Sequence, residues 1–221
     1  MGKSPDHPIT RSPNNFVLPP LYAIIDPAQG ASRTSQEIAE ALVAAGVRLI
    51  QLRDKHASSR ELCASAQRVA KCVRIAGGIF IVNDRADVAR ATDADGVHVG
   101  QDDLPIESVR ALMGPSKLVG YSTHDLEQVA EADGSTADYV AFGPIFATSS
   151  KENPDPVVGL GGLREARKAT RKPLVAIGGI TLENARAVIE AGADSVAVIR
   201  ALVGAPDITQ RAGDFLDQLQ R

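Results

Sequence analysis

Eight short runs of branched aliphatic residues, separated by longer segments of helical periodicity, constrain this chain more than any other feature. The runs are LYAIID (21–26), RLIQLR (48–53), GIFIVN (78–83), GVHV (96–99), KLVGYS (117–122), YVAFG (139–143), PLVAIG (173–178) and SVAVIR (195–200). Between them, segments such as SQEIAEALVAAG (35–46) and TLENARAVIEAG (181–192) put apolar residues at i, i+3, i+4 and i+7 and close on Gly. That is the pattern of an amphipathic helix with a glycine stop. Eight strand–helix units of about 20–30 residues each point to a closed, single-domain α/β architecture, the (β/α)8 TIM barrel, over an open doubly wound sheet. With 221 residues in all, the loops must be lean. Residues 1–16, largely polar and broken by Pro5, Pro8 and Pro13, read as a flexible tail ahead of a barrel spanning 17–221.

Composition narrows the function classes. At 44% hydrophobic the chain can bury a large core, and with no Trp and 4% aromatic residues that core is aliphatic, as barrel interiors are. A net charge of −3 supplies no global field for nucleic acid or anionic lipid, so any bound phosphate needs a local site. No apolar run reaches the ~18 residues of a membrane span. The N-terminus lacks the apolar core of a signal peptide, so a cytoplasmic setting is expected. Cys63 and Cys72 share one helical segment without CxxC spacing and read as buried free thiols. A homo-oligomer is compatible with this composition.

A barrel makes a further demand: its chemistry belongs on the loops after the strands. Polar groups stand there. Gln51, Arg53 and Lys55 stand at the end of the second run or just past it, Asn83 and Asp84 end the third, Ser122 ends the fifth, and Gly178–Gly179 close the seventh. Asp84 with Asp103, or its neighbour Asp102, would bring two carboxylates to one rim. That set suits Mg²⁺, which keeps several waters and takes substrate phosphates, although each Asp could instead cap a following helix. Arg53, Lys55 and Lys151 are candidate phosphate cations, against the ordinary reading of solvated charge. Gly178–Gly179, followed by a helix starting at Thr181, could admit a phosphate to bare N–H groups or could simply form a tight turn. GLGGL (159–163) follows a loop, not a strand, so it is no dinucleotide motif. Among His7, His56, His98 and His124 there is no zinc spacing. His98 reads as a core histidine, and His124 is a candidate acid or base. No nucleophile elbow is present.

Taken together, QLRDK (51–55), ND (83–84), GVHVGQDDL (96–104), GYSTH (120–124), FGPIFATSSK (142–151) and AIGGI (176–180) resemble thiamine phosphate synthases, over residues 21 to 202. The resemblance implies a transferase that condenses 4-amino-2-methyl-5-hydroxymethylpyrimidine pyrophosphate with a carboxythiazole or hydroxyethylthiazole phosphate. The products are thiamine phosphate and pyrophosphate, by Mg²⁺-assisted dissociative displacement. It assigns Gln51, Arg53, Lys55, Asn83, Ser122 and Lys151 to the pyrimidine pyrophosphate, with Arg53, Lys55, Ser122 and Lys151 as the catalytic group. It assigns Asp84 and Asp103 to the metal, and Thr148, Ser150, Gly178, Gly179, Ile199 and position 200 to the thiazole phosphate. Two departures stand out. The family's TxTK is Thr148-Ser149-Ser150-Lys151 here, which keeps the hydroxyl, and a common Ser is replaced by Arg200. A thiazole tautomerase of the same barrel family would not need the pyrophosphate set, and a non-catalytic barrel that senses a phosphorylated metabolite has Arg200 as its only motive.

Overall fold

The computed structural model describes residues 17–30, 32–148 and 155–220. Its strands are β1 (Leu21–Ile25), β2 (Leu49–Leu52), β3 (Ile79–Asn83), β4 (Gly96–Val99), β5 (Leu118–Thr123), β6 (Tyr139–Phe142), β7 (Leu174–Ile177) and β8 (Ser195–Val198). They pair in parallel in sequence order, and β1 also pairs β8, closing the barrel. The helices are α1 (Ser35–Ala44), α2 (Ser59–Ile75), α3 (Ala86–Ala91), α4 (Ile106–Met113), α5 (Leu126–Gly134), α6 (Gly159–Ala169), α7 (Ala185–Glu190), α8 (Arg200–Val203) and α9 (Ile208–Gln220). The expected TIM barrel is the observed fold, and each aliphatic run supplies a strand at or within a residue or two of its expected bounds.

Two apolar cores explain why the runs carry little polarity: each strand is covered on both faces. Tyr22, Ile24, Leu49, Ile79, Ile81, Leu118, Tyr139, Ala141, Val175 and Ala197 fill the lumen. Alternate residues such as Ala23, Ile50, Leu52, Phe80, Val97 and Val140 pack outward with Ile38, Leu42, Leu62 and Val69 from the helices. Helices α1 and α2 begin where the sequence signals it. Thr34 with Glu37, and Ser58 with Glu61, form reciprocal capping boxes. At the end of the barrel opposite the strand C-termini, Asp95, Asp138 and Asp194 each precede an even-numbered strand. Each accepts an N–H from the odd strand before it, at Phe80, Val119 and Leu174 (2.9, 2.7 and 2.8 Å). These part-buried contacts pin the register from below.

Three local expectations are corrected. Thr181 does not begin α7; Asn184 and Ala185 donate to its carbonyl in a separate turn, and the helix starts at Ala185. Asn184 Oδ1 accepts from Thr181 N instead. Neither Asp84 nor Asp102 caps a helix, since the residues before α3 and α4 are Arg85 and Pro105. Cys63 and Cys72 are free, as expected, but half-buried on α2 rather than buried. GLGGL opens α6 directly after residues 155–158, which form no strand. The expected flexible tail, residues 1–16, lies outside the described residues.

Candidate active site

The strand C-termini converge on one cavity of about 730 Å³, within the usual range for small-molecule sites. Its wall contains Gln51, Arg53, Lys55, Asn83, Asp84, Asp102, Asp103, Ser122, Thr148, Gly178, Gly179, Ile199 and Arg200. Every described residue singled out from the sequence for binding or catalysis is therefore on one face. Ser150 and Lys151 lie outside the described residues.

The second strand delivers its side chains in alternation. Gln51 points into the lumen and is 2% exposed, while Arg53 and Lys55 continue toward the rim. Arg53 is fixed rather than splayed. Its backbone N–H still pairs with Ile25 O at 2.9 Å, and its Nη1 donates to Asp26 Oδ2 at 2.6 Å. Asp26 is 5% exposed and also accepts from Ala28 N at 3.0 Å, so the anion that positions Arg53 is itself held. Asp26 was not singled out from the sequence, although it stands at a strand end like the others.

At the end of β3, Asp84 adopts a left-handed conformation (φ +58) that non-glycine residues rarely hold. Its N–H donates to His98 O at 2.8 Å. Its carboxylate Oδ2 accepts from Lys55 Nζ in a close ion pair. Asp103 reaches the same place from the loop after β4, oriented by a 2.7 Å hydrogen bond from Gly100 N. Burial pushes the Asp103 carboxyl above the usual carboxylate range, and the facing Asp84 pushes it further the same way. Of the two adjacent aspartates, it is Asp103 that meets Asp84.

At the far side, Gly178 (φ +99) and Gly179 (φ +62) close β7 against the loop after β6. A Cβ on Gly178 would stand 2.5 Å from Pro144 Cβ, and one on Gly179 2.5 Å from Ala147 O. Only glycine fits there. Ile145 N donates to Ile177 O at 2.8 Å and Phe146 N to Gly178 O at 3.0 Å, which binds the two loops into one wall. Thr148 follows on this wall. Arg200 begins α8 beside the cavity, and its Nε donates to Gln29 Oε1 at 3.1 Å.

The histidines divide. His98 is buried in the lumen, with Nε2 2.8 Å from Ser122 Oγ. The core reading is right, yet the side chain also touches a site residue, which its position alone could not reveal. His124 Nδ1 donates to Gly143 O at 2.7 Å and lies 3.5 Å from Asp155 Oδ2, so that nitrogen is anchored to the protein. Gln101 also lines the cavity; its Nε2 donates to Ser122 O at 2.6 Å and its Oε1 accepts from Tyr121 OH at 3.1 Å, steadying the β5 end. Chemically, the rim offers two cations and two facing carboxylates on one side, a glycine-rich wall on the other, and neutral polar groups between.

The family model described as thiamine monophosphate synthase matches residues 21–202. The thiamine-phosphate synthase of Koribacter versatilis is 52% identical over 206 residues, covering 91% of this chain and 96% of that protein. That of Methanoregula boonei is 47% identical, covering 90% and 92%. Among solved structures, the thiamine phosphate pyrophosphorylase from Pyrococcus furiosus superposes with a TM-score of 0.83 at 34% identity, covering 91% of this chain and 96% of that one.

Proposed function

The chain belongs to the thiamine monophosphate synthase family and forms thiamine phosphate, and we propose that it does so by joining a pyrimidine pyrophosphate to a thiazole phosphate at the barrel mouth, with Mg²⁺ held by Asp84 and Asp103. The observation that carries this reading is the meeting of Arg53, Lys55, Asn83, Asp84 and Asp103 from three successive loops on one cavity wall.

The donor set fits the metal. Burial first, and then the facing Asp84, raise the Asp103 carboxyl, and a divalent cation would relieve the repulsion between the two carboxylates. Among the described residues no three His, Cys, Asp or Glu side chains are placed to hold a metal ion by themselves. Mg²⁺ does not need them, since it uses one or two carboxylates and keeps water and phosphate oxygens as its other ligands. When bound, it would supply charge neutralisation to the departing pyrophosphate.

The protein's own groups have separate tasks. Arg53, held by Asp26, presents a preorganised guanidinium to the diphosphate, and Lys55 adds a point charge. Lys151 joins them by family resemblance. Asn83 offers an amide to the same group, while Gln51 and Ser122 hold the pyrimidine ring. The bond from the pyrimidine methylene carbon to the pyrophosphate oxygen breaks, with its electron pair leaving on the pyrophosphate. The thiazole nitrogen then forms the new C–N bond with its lone pair. Such a dissociative path needs leaving-group stabilisation and alignment of two substrates, not a protein nucleophile. The wall of Thr148, Gly178, Gly179, Ile199 and Arg200 aligns the thiazole phosphate, with Ser150 by resemblance.

Two charged, phosphorylated substrates support a cytoplasmic setting, and no described helix is long and apolar enough to cross a membrane. The test is turnover of the full chain with both substrates, with and without Mg²⁺, read as thiochrome fluorescence after oxidation. Mg²⁺-dependent product is expected; no product with both substrates and Mg²⁺ present would overturn the reading.

A further inference from the structure

A continuous hydrogen-bonded chain crosses the lumen at the floor of the cavity. Gln51 Nε2 donates to Tyr22 OH at 2.7 Å, Tyr22 OH meets Tyr139 OH at 2.9 Å, Tyr139 OH meets His98 Nδ1 at 3.1 Å, and His98 Nε2 meets Ser122 Oγ at 2.8 Å. Its two ends, on β2 and β5, line the cavity, as do Tyr22 and His98 between them, though Tyr22 is 1%, Tyr139 0% and His98 8% exposed.

The fold makes room for this chain. Gly120 is the register partner of both His98 on β4 and Tyr139 on β6. A Cβ there would lie 2.1 Å from Tyr139 Cζ and 2.4 Å from His98 Nδ1. The missing side chain lets the phenol and imidazole meet across β5, stacked with centroids 5.5 Å apart.

Its polarity follows from donor inventory. An amide NH₂ can only donate, so the Tyr22 oxygen accepts from Gln51; the polarity that leaves neither buried phenol O–H without an acceptor then sends the Tyr22 O–H to the Tyr139 oxygen. The Tyr139 O–H then goes to His98 Nδ1, which leaves the His98 proton on Nε2, donated to Ser122 Oγ. With its oxygen so engaged, the Ser122 hydroxyl has its own proton left for the cavity, while Gln51 keeps its carbonyl oxygen. Burial supports the phenol steps, since it pushes both hydroxyls up and keeps them protonated; His98, accepting at Nδ1 and donating at Nε2, has one proton to place and is neutral in this arrangement.

We propose that Tyr139 and His98 are positioning residues whose hydrogen-bond polarity makes Gln51 an acceptor and Ser122 a donor toward the substrate, selecting an aminopyrimidine over an oxopyrimidine. This rests on the reading of Gln51 and Ser122 as pyrimidine contacts. An aminopyrimidine brings a donor in its amino group and acceptors in its ring nitrogens. Replacing the amino group by an oxo group reverses that edge, placing an acceptor at the exocyclic atom and a proton on the adjacent ring nitrogen.

The test uses the full chain and its Tyr139→Phe variant, which deletes the linking hydroxyl and keeps the ring. For the wild type, kcat/KM with the amino substrate should exceed that with its oxo analogue by about a hundredfold or more. In Tyr139→Phe that ratio should fall by about tenfold, with KM for the thiazole phosphate unchanged. An unchanged ratio overturns the proposal, since loss of structure alone would lower both rates together. A second measurement needs no turnover: ¹⁵N NMR of wild-type His98 should show the proton on Nε2 and none on Nδ1. A proton on Nδ1 would reverse the chain and overturn the polarity. Absence of thiamine phosphate from the wild type would instead sink the functional reading, and with it the pyrimidine match, while the tautomer still reports on the chain itself.

Discussion

Arg53 Nη1 stands 2.6 Å from Asp26 Oδ2, so the cation ending the second strand is held by an anion ending the first. The pair is a preorganising contact: Asp26 also accepts from Ala28 N and cannot swing away without undoing its own turn. In Asp26→Ala, kcat/KM for the pyrimidine pyrophosphate should fall by about tenfold or more as Arg53 loses its fixed geometry. The lost turn contact should lower stability by about 1 kcal/mol. Steady-state kinetics and urea denaturation check both, and unchanged kinetics would show that Arg53 needs no support.

Asp84 holds a left-handed backbone that favours glycine, and it also carries a carboxylate of the candidate metal site. Asp84→Ala should abolish Mg²⁺-dependent turnover while the protein remains folded, with a stability loss of about 1 kcal/mol from the strained Ala. Asp84→Gly removes that strain and should stay near wild-type stability, yet be equally inactive. Normal activity in either variant would refute the metal assignment.

Arg200 borders the glycine-rich wall with its Nε on Gln29 Oε1. If its guanidinium also reaches the thiazole phosphate, Arg200→Ser should raise KM for that substrate by about tenfold and leave KM for the pyrimidine pyrophosphate alone. An unchanged or lower value would show that Arg200 crowds the site instead of binding in it.

His98 sets a pH dependence of stability. Burial lowers it from 6.5 to about 4, opposed by the nearby Asp103 carboxylate. Between those values the unfolded chain binds more protons than the folded one, so this contribution is complete above pH 6.5 and is lost as pH falls toward 4. From pH 7 to pH 5 the loss is roughly 2 kcal/mol. Urea denaturation of wild type and His98→Gln at both values should show the variant less sensitive to acid; equal sensitivity would contradict a buried neutral His98.

The barrel was legible because its strands are buried on both faces and therefore stand out as aliphatic runs, and because polar residues placed directly after such runs can only lie at the rim. Asn83 and Ser122 end such runs and Asp26 carried the same signal, whereas Gln51 is a polar residue inside a run, on the lumen face of β2. The start of α7 was misjudged because Thr181 and Asn184 are good turn formers whose side-chain and backbone bonds compete with the first helical turn. The lumen chain left no local trace: Tyr22 and Tyr139 are 117 residues apart, and each looks like an ordinary core aromatic until the barrel closes. The choice between Asp102 and Asp103 likewise needed the loop conformation, which turns only Asp103 onto Gly100 N and toward Asp84.

The central claim is that a divalent ion and basic side chains at one barrel mouth cage a diphosphate. Calorimetric titration of inorganic pyrophosphate into the full chain, with Mg²⁺ or with chelator, tests it without relying on turnover. Binding should be at least about tenfold tighter with Mg²⁺, and that gain should vanish in Asp84→Gly. Equal affinity with and without the metal, or a gain that survives in Asp84→Gly, would contradict the account.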